Sequence, residues 1–149
     1  MVVFHTHFGR DELPKIANRN TGSGRDFLNE LAVRCENASV EAEEAVLCEV
    51  VDAISDLVSY YVDITWRNRA ECFRGLIKHG AAESGILKLF PENAEIAFSC
   101  VLPSRSLTAK VQLAGATSGF SQGGASLSLS LMGAFLRSLA ALCAKEDLI

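Results

Sequence analysis

Three groups of side chains in this sequence have types and spacing suited to chemistry. The first is His5 and His7, in a segment whose alternation predicts a short strand over Val2–Phe8. Residues two apart in a strand point to the same side, so both imidazoles could ligate one metal ion. A third ligand would have to come from Asp11, Glu12 or a distant residue. A small metal-dependent enzyme using this pair is therefore one hypothesis, and an ordinary terminal strand is the other.

The second group is the run TGSGRD at Thr21–Asp26, directly before a predicted helix. Amide N–H groups and the helix dipole favour an anion at such a position. The run lacks the Lys of a GxxxxGK[ST] loop and does not follow a buried strand, so a cap at Ser23 is the preferred interpretation. GxSxG and HExxH motifs are absent, and Cys72 and His79 are separated by about 10 Å of helical rise. The sequence favours a non-catalytic protein without a cofactor.

The third group is a set of cations on one predicted helix: Arg67, Arg69, Arg74 and Lys78. A few aligned cations suffice for a salt-dependent contact with nucleic-acid phosphates. The alternative is that they form ion pairs with the acidic helix that precedes them in the chain. The net charge of −4 gives no global attraction to nucleic acid or anionic lipid. We prefer the ion-pairing interpretation and keep nucleic-acid binding as an alternative function.

These side chains depend on a helical framework whose longest member is predicted over Ser39–Ile64. Its apolar residues recur every three or four positions and form one stripe, which comprises Leu47, Val50, Val51, Ile54, Leu57, Val58, Tyr61 and Ile64. The other face carries Glu41, Glu43, Glu44, Glu49, Asp52, Asp56 and Asp63. Acidic residues in the first turns are stabilised by the positive end of the helix dipole.

Two further helices are predicted over Gly24–Cys35 and Thr65–His79, and Gly80 ends the latter as a C-cap. Alternating residues then predict two strands, at Glu95–Leu102 and Leu107–Leu113, and Ala116–Phe120 is a candidate for a third short strand. One face of the first strand carries Ile96, Phe98 and Cys100, and one face of the second carries Leu107, Ala109, Val111 and Leu113. The region Ala81–Asn93 is predicted to be a connection with a short turn.

The last predicted helix, Leu127–Lys145, has two apolar rows. One row is Leu127, Leu131, Phe135, Leu139 and Leu142, and the other is Leu129, Met132, Leu136, Ala140 and Cys143. Two rows predict a helix that is covered on both sides, and its small residues (Gly133, Ala134, Ser138 and Ala141) allow neighbours to approach closely. We expect the second row to form a partner surface through Leu129, Met132, Leu136 and Ala140, with Tyr60 and Tyr61 as aromatic anchors.

From Trp66 onward, the predicted order of helix, strand, strand, short strand and helix resembles that of a double-stranded-RNA-binding domain. The resemblance covers about half of the chain and implies RNA binding. In that family, however, the final helix begins with a basic cluster that holds phosphates. Here the matching stretch is SQGGASLSLSLMG, which has no Lys or Arg before Arg137. The resemblance therefore concerns the order of elements and transfers no binding residue.

Composition agrees with one domain spanning residues 1–149, with 49% hydrophobic and 21% charged residues. The five cysteines are odd in number, widely spaced and without a CxxC pair, so they predict reduced, buried thiols. The apolar run Ala125–Ala144 contains four Ser and Arg137, so it predicts a core helix, and the N-terminus does not resemble a signal peptide. We expect a cytoplasmic protein with no membrane association.

The sequence thus predicts a single α+β domain. N-terminal helices, including one long acidic amphipathic helix, are followed by a small antiparallel sheet and a buried C-terminal helix. The expected function is that of a non-catalytic interaction or assembly protein, which acts as a homo-oligomer with a protein partner through helix surfaces. A final helix covered entirely by its own chain would contradict the reasoning behind that surface.

Overall fold

The computed structural model describes residues 24–61, 66–101, 106–113 and 117–147. The described elements are five helices, one 3-10 turn and three strands. They are α1 (Gly24–Asn37), the 3-10 turn (Val40–Ala42), α2 (Glu43–Tyr61), α3 (Trp66–Lys78), α4 (Ala82–Leu89), β1 (Glu95–Val101), β2 (Ser106–Leu113), β3 (Thr117–Phe120) and α5 (Leu127–Asp147). The α+β class, the sheet and the final helix packed against it are as the sequence predicts.

Local signals in the sequence explain where the helices begin and end. The Ser39 hydroxyl accepts a hydrogen bond from the Ala42 amide at 3.3 Å, which confirms the predicted cap before the long acidic helix. Gly80, with φ of 76°, follows α3 in the left-handed conformation of a C-cap. Ser39 thus satisfies an amide at the start of one helix, and Gly80 adopts a conformation after another helix that other residues avoid.

Helix α4 was not predicted, and it alters the order of elements. It lies between α3 and β1, so the described order from Trp66 is two helices, three strands and a helix. The helix has only eight residues, and Ala81 at its N-cap provides no side-chain hydrogen bond. It packs on α3 and buries Ile86 and Leu89. Packing against α3, and to a lesser extent against α5, therefore stabilises a helix that local signals do not reveal.

The sheet is antiparallel in the order β1-β2-β3. Phe98 of β1 lies opposite Ala109 of β2, so the predicted apolar faces of these two strands lie on the same side of the sheet. Helix α5 packs on β2 and β3 on that side and covers Ala109, Val111 and Leu113. The layer under α5 is therefore formed mainly by two of the three strands.

Close contact between β3 and α5 depends on Gly119. A Cβ atom at this position would lie closer than 3.0 Å to the Ala134 carbonyl oxygen and the Ser138 amide nitrogen. Backbone thus meets backbone, which confirms the prediction that the small residues of the last helix allow close approach.

Helix α5 is also covered by α1, which packs along it with Leu28, Ala32 and Cys35 buried. Both of its predicted apolar rows are buried from Leu129 to Cys143. An aromatic cluster adds α3 and the end of α4 to this core. The Phe135 ring stacks on Trp66 with centroids 6.2 Å apart and contacts Phe90 at 4.9 Å. No helix in the described ranges is long and apolar enough to cross a bilayer.

One ion pair joins α1 to α5 at the edge of this core. Arg137 donates two hydrogen bonds to the Glu36 carboxylate, at 2.8 Å and 2.7 Å, and the Gln122 amide donates a third at 2.8 Å. The Glu36 side chain is only 6% exposed and that of Arg137 is 22% exposed. The hydrogen bond to Glu36 raises the pKa of the Arg137 guanidinium. A Cβ atom at Gly133 would lie 3.2 Å from Glu36, so a glycine leaves room for this carboxylate.

We predict that Gly119→Ala lowers the free energy of unfolding by about 3 kcal/mol or more, because the added methyl group forces β3 away from α5. The matched control is Gly75→Ala in the exposed interior of α3, where no atom lies within 4 Å of the added Cβ. That change should stabilise the protein by about 0.5–1 kcal/mol through helix propensity. Urea denaturation of both variants tests this, and equal stability of Gly119→Ala and wild type would contradict the close approach.

We predict that Glu36→Gln lowers the free energy of unfolding by about 2 kcal/mol or more, since it leaves the Arg137 charge partly buried without its counter-ion. Glu49→Gln is the control, because it removes the Arg34–Glu49 pair, whose side chains are 51% and 55% exposed. The control should cost less than about 1 kcal/mol. Equal losses in urea denaturation would show that burial of the Glu36 pair has no energetic consequence.

Candidate protein interface

The acidic face of α2 forms ion pairs with both neighbouring helices. Glu49 accepts a hydrogen bond from Arg34 of α1 at 2.7 Å, and Asp52 accepts one from Arg74 of α3 at 2.5 Å. Both pairs are exposed, so each contributes modestly to stability, but together they use the acidic face for contacts within the chain.

The four cations of the predicted basic face are therefore not equivalent. Arg74 pairs with Asp52, as the ion-pairing interpretation predicts, and Arg69 is half-buried. Arg67 and Lys78 are exposed, and about 17 Å of helical rise separates them. The exposed cations on α3 are therefore far apart and do not form the continuous row that would contact successive phosphates.

The N-terminus of α5, which follows the glycine-containing loop 121–126, is occupied by groups of the chain itself. The Ser126 hydroxyl accepts a hydrogen bond from the Leu129 amide at 3.2 Å and donates one to the Glu43 carboxylate. Glu43 therefore places a negative charge at the positive end of the α5 dipole. A carboxylate from α2 thus holds the position where an external anion would bind.

The side chains predicted to form a partner surface on the last helix lie in the core. Leu129, Met132 and Leu136 are fully buried and Ala140 is 3% exposed. The prediction that this helix is covered on both sides is confirmed, but α1 and the sheet of the same chain provide the cover. This burial removes the reason for assigning these four residues to an interface.

Other predicted sites fall outside the described part of the chain. These are His5 and His7, residues 21–23 of the TGSGRD run, and the side chains of Tyr60 and Tyr61. Within the described ranges, no three His, Cys, Asp or Glu side chains come together as metal ligands would. The Arg25 and Asp26 side chains of the run form an exposed ion pair at 3.9 Å.

The most unusual described surface is β1, in which every residue from Glu95 to Cys100 is exposed. Phe98 is 61% exposed and Ile96 is 37% exposed, although both lie on the side of the sheet that α5 covers elsewhere. Cys100 is the next exposed residue on the same side. We call the side chains of Ile96, Phe98 and Cys100 the β1 apolar face. It extends for about 13 Å along the strand.

The dimensions of a helix and a sheet explain why this face is open. A helix with its side chains is about 10 Å across, and strands are about 4.8 Å apart. One helix can therefore cover about two strands, and α5 packs on β2 and β3. The third strand extends beyond it. The sequence pattern places Ile96, Phe98 and Cys100 on one face of a strand but does not show that this face is exposed. The available signal is that three strands are predicted beneath a single helix.

The main chain of β1 is open as well. Among the described strands, β2 alone pairs with β1, so within the described ranges the other edge of β1 has no strand partner for its main-chain groups. Edge strands are commonly blocked by Pro, Lys or a bulge, and the β1 sequence EIAFSCV contains neither Pro nor Lys. On the opposite side of the sheet, the Ser99 and Thr108 hydroxyls form a hydrogen bond at 2.9 Å that fixes β1 to β2.

The cysteines provide natural reporters of these surfaces. Cys100 on β1 and Cys72 on α3 are exposed, whereas Cys35 and Cys143 are buried. Burial raises the pKa of the Cys35 thiol to about 12, and burial followed by the nearby Glu44 raises the pKa of the half-buried Cys48 thiol. All five thiols are free. Two of the five are buried, so the predicted burial of the cysteines is confirmed only in part.

Comparison with known proteins does not assign the chain to a family. No protein-family model matches the chain, and no curated protein or solved structure is significantly similar to it.

We predict that, in dilute purified protein near neutral pH, maleimide modifies Cys72 and Cys100 fastest. Cys35 and Cys143 should react only after denaturation, because burial blocks access to both thiols and also raises the pKa of Cys35. Mass spectrometry of tryptic peptides measures Cys72 and Cys100 separately, since they lie on different peptides, and fragment spectra distinguish Cys35 from Cys48, which share one peptide. Protection of Cys100 in dilute protein would contradict the exposure of β1.

Proposed function

We propose that this chain is a non-catalytic interaction protein whose docking element is the open strand β1. The observation that carries the proposal is the exposure of every β1 residue from Glu95 to Cys100, with Phe98 and Ile96 on one face. The expected class of function is the one that the sequence suggests, but the contact moves from helix surfaces to the sheet. Strand addition fits such a surface, because an extended segment supplies main-chain hydrogen bonds and apolar side chains together.

The apolar part of the surface is large enough to contribute to binding. The exposed fractions of Phe98 and Ile96 correspond to about 200 Å² of surface. Complete burial of this area would contribute on the order of 5 kcal/mol before the cost of association is subtracted, which is an upper bound for a strand that covers it from the side. The other large exposed apolar residues are distributed over different elements: Val33 on α1, Val40 in the 3-10 turn, Leu87 on α4 and Phe120 on β3. Only β1 combines two of them on one face.

The charged surfaces support this choice. The acidic face of α2 and the Arg74 side chain interact within the chain, and Glu43 occupies the N-terminus of α5. Phe120 lies on the other side of the sheet, with the Lys110 ammonium 5.6 Å from the centre of its ring. The acidic face of α2, the N-terminus of α5 and the Phe120 ring thus each contact a charged side chain of the same chain. None of these contacts involves the β1 apolar face.

We predict that, in living cells that express the protein, a membrane-permeant maleimide modifies Cys100 several-fold more slowly than Cys72, because a partner strand covers β1. In the Phe98→Glu variant the two rates should become similar, since a charge on the β1 apolar face opposes docking. Phe120→Glu is the matched control, because it introduces the same charge beside Lys110 on the other side of the sheet, and it should leave Cys100 protected.

Three outcomes are informative. Protection of Cys100 that is lost in Phe98→Glu alone supports the proposal. Equal modification of Cys72 and Cys100 in the wild-type protein contradicts it. Protection of Cys72 in place of Cys100 would transfer the contact to α3 and favour the nucleic-acid alternative, which involves Arg67, Arg69, Arg74 and Lys78.

A further inference from the structure

We infer that the occupant of the β1 edge is a second copy of this chain, paired antiparallel about a two-fold axis at Phe98. This inference rests on the proposed function and names its partner. In such a pair, Phe98 faces Phe98 of the second copy, and Ile96 faces Cys100 on each side. The two apolar faces then form one continuous strip, and the two three-stranded sheets form one six-stranded sheet.

The sequence of β1 selects this register. Directly opposed residues lie on the same side of a sheet. The apolar residues of the two copies can therefore meet only when the two-fold axis passes through a residue, and moving the axis to the next residue shifts the pairing by two positions. The register centred on Phe98 pairs all seven residues of β1. Registers centred on Ala97 or Ser99 pair only residues 95–99 or 97–101. The pairing with the most main-chain hydrogen bonds is therefore also the one that places the largest exposed ring on the axis.

The charges are compatible with this pairing. Glu95 is the only charged residue of β1, and it lies at one end of the strand. Antiparallel pairing places the two Glu95 residues at opposite ends of the strip, about 20 Å apart. That distance exceeds the Debye length of about 8 Å at physiological salt, so their repulsion is screened. No like charges face each other across the paired strands.

The size of the surface sets the strength of the contact. The exposed parts of Phe98 and Ile96 amount to about 200 Å² per copy, and a standard stable interface buries about 800 Å² per partner. The main-chain edge adds area but leaves the total in the small class. We therefore expect a reversible dimer with a dissociation constant in the micromolar range. Assembly stops at two copies because the dimer uses the second edge of β1 in each copy. The strand at the other end of the sheet, β3, has only four residues and offers a short edge for further pairing.

The test uses the full chain and sedimentation velocity over the micromolar concentration range. The mass of the wild-type protein should increase with concentration from one copy toward two. Phe98→Glu and Phe98→Lys should each weaken dimerisation at least tenfold, because like charges meet on the axis. Phe120→Glu, the matched control for a similarly exposed ring, should dimerise as wild type does.

An equimolar mixture of Phe98→Glu and Phe98→Lys should recover the dimer at low salt and lose it at high salt, since the two opposite charges meet on the axis. A misfolded variant would not recover on mixing, so recovery also shows that both variants are folded. A wild-type dimer without recovery in the mixture would overturn the pairing at Phe98. Loss of the dimer in Phe120→Glu as well would overturn the use of β1.

The two proposals can fail separately. A wild-type chain that stays monomeric, while Cys100 remains protected in cells, overturns the second copy as occupant and leaves β1 as a docking strand for another protein. A monomeric chain whose Cys100 is unprotected in cells overturns both. Protection of Cys100 that does not change on dilution would mean that the same chain covers β1, for which the predicted strand Val2–Phe8 has a suitable alternation.

Discussion

The burial of α5 is the constraint on which the rest of this structure depends. A helix that is apolar in two rows needs cover on more than one side. Helix α1, strands β2 and β3, and the rings of Trp66 and Phe90 provide that cover. Gly119 lets β3 approach the α5 backbone directly. Because one helix spans about two strands, this arrangement leaves β1 outside the covered layer.

Charge in this chain organises the helices around that core. The acidic residues of α2 contact α1, α3 and the N-terminus of α5 through Glu49, Asp52 and Glu43. Glu36 and Arg137 join α1 to α5 where both approach the loop after β3. Three residues of the acidic face predicted from the sequence therefore join neighbouring elements of the same chain. Within the described part of the chain, the β1 apolar face stays exposed beside this core.

Sequence patterns predicted most elements because their signals are local. The cap at Ser39, the glycine after α3 and the alternation of the strands act within a few residues. The short helix α4 was missed because its stability comes from packing on α3. The second apolar row of α5 was correctly predicted to be covered, but a sequence pattern cannot say which chain provides the cover. The exposure of Phe98 depends on the relative widths of a helix and a sheet, which periodicity alone does not encode.

The Glu36–Arg137 pair joins residues 101 positions apart, and Ser126 and Glu43 are 83 positions apart. During translation, α1 and α2 therefore leave the ribosome well before the helix that covers them. Their buried stripes stay accessible to chaperones until α5 has been synthesised, and contacts between such distant residues form slowly. The nascent chain is thus open to misassociation through the buried faces of α1 and α2 during this interval.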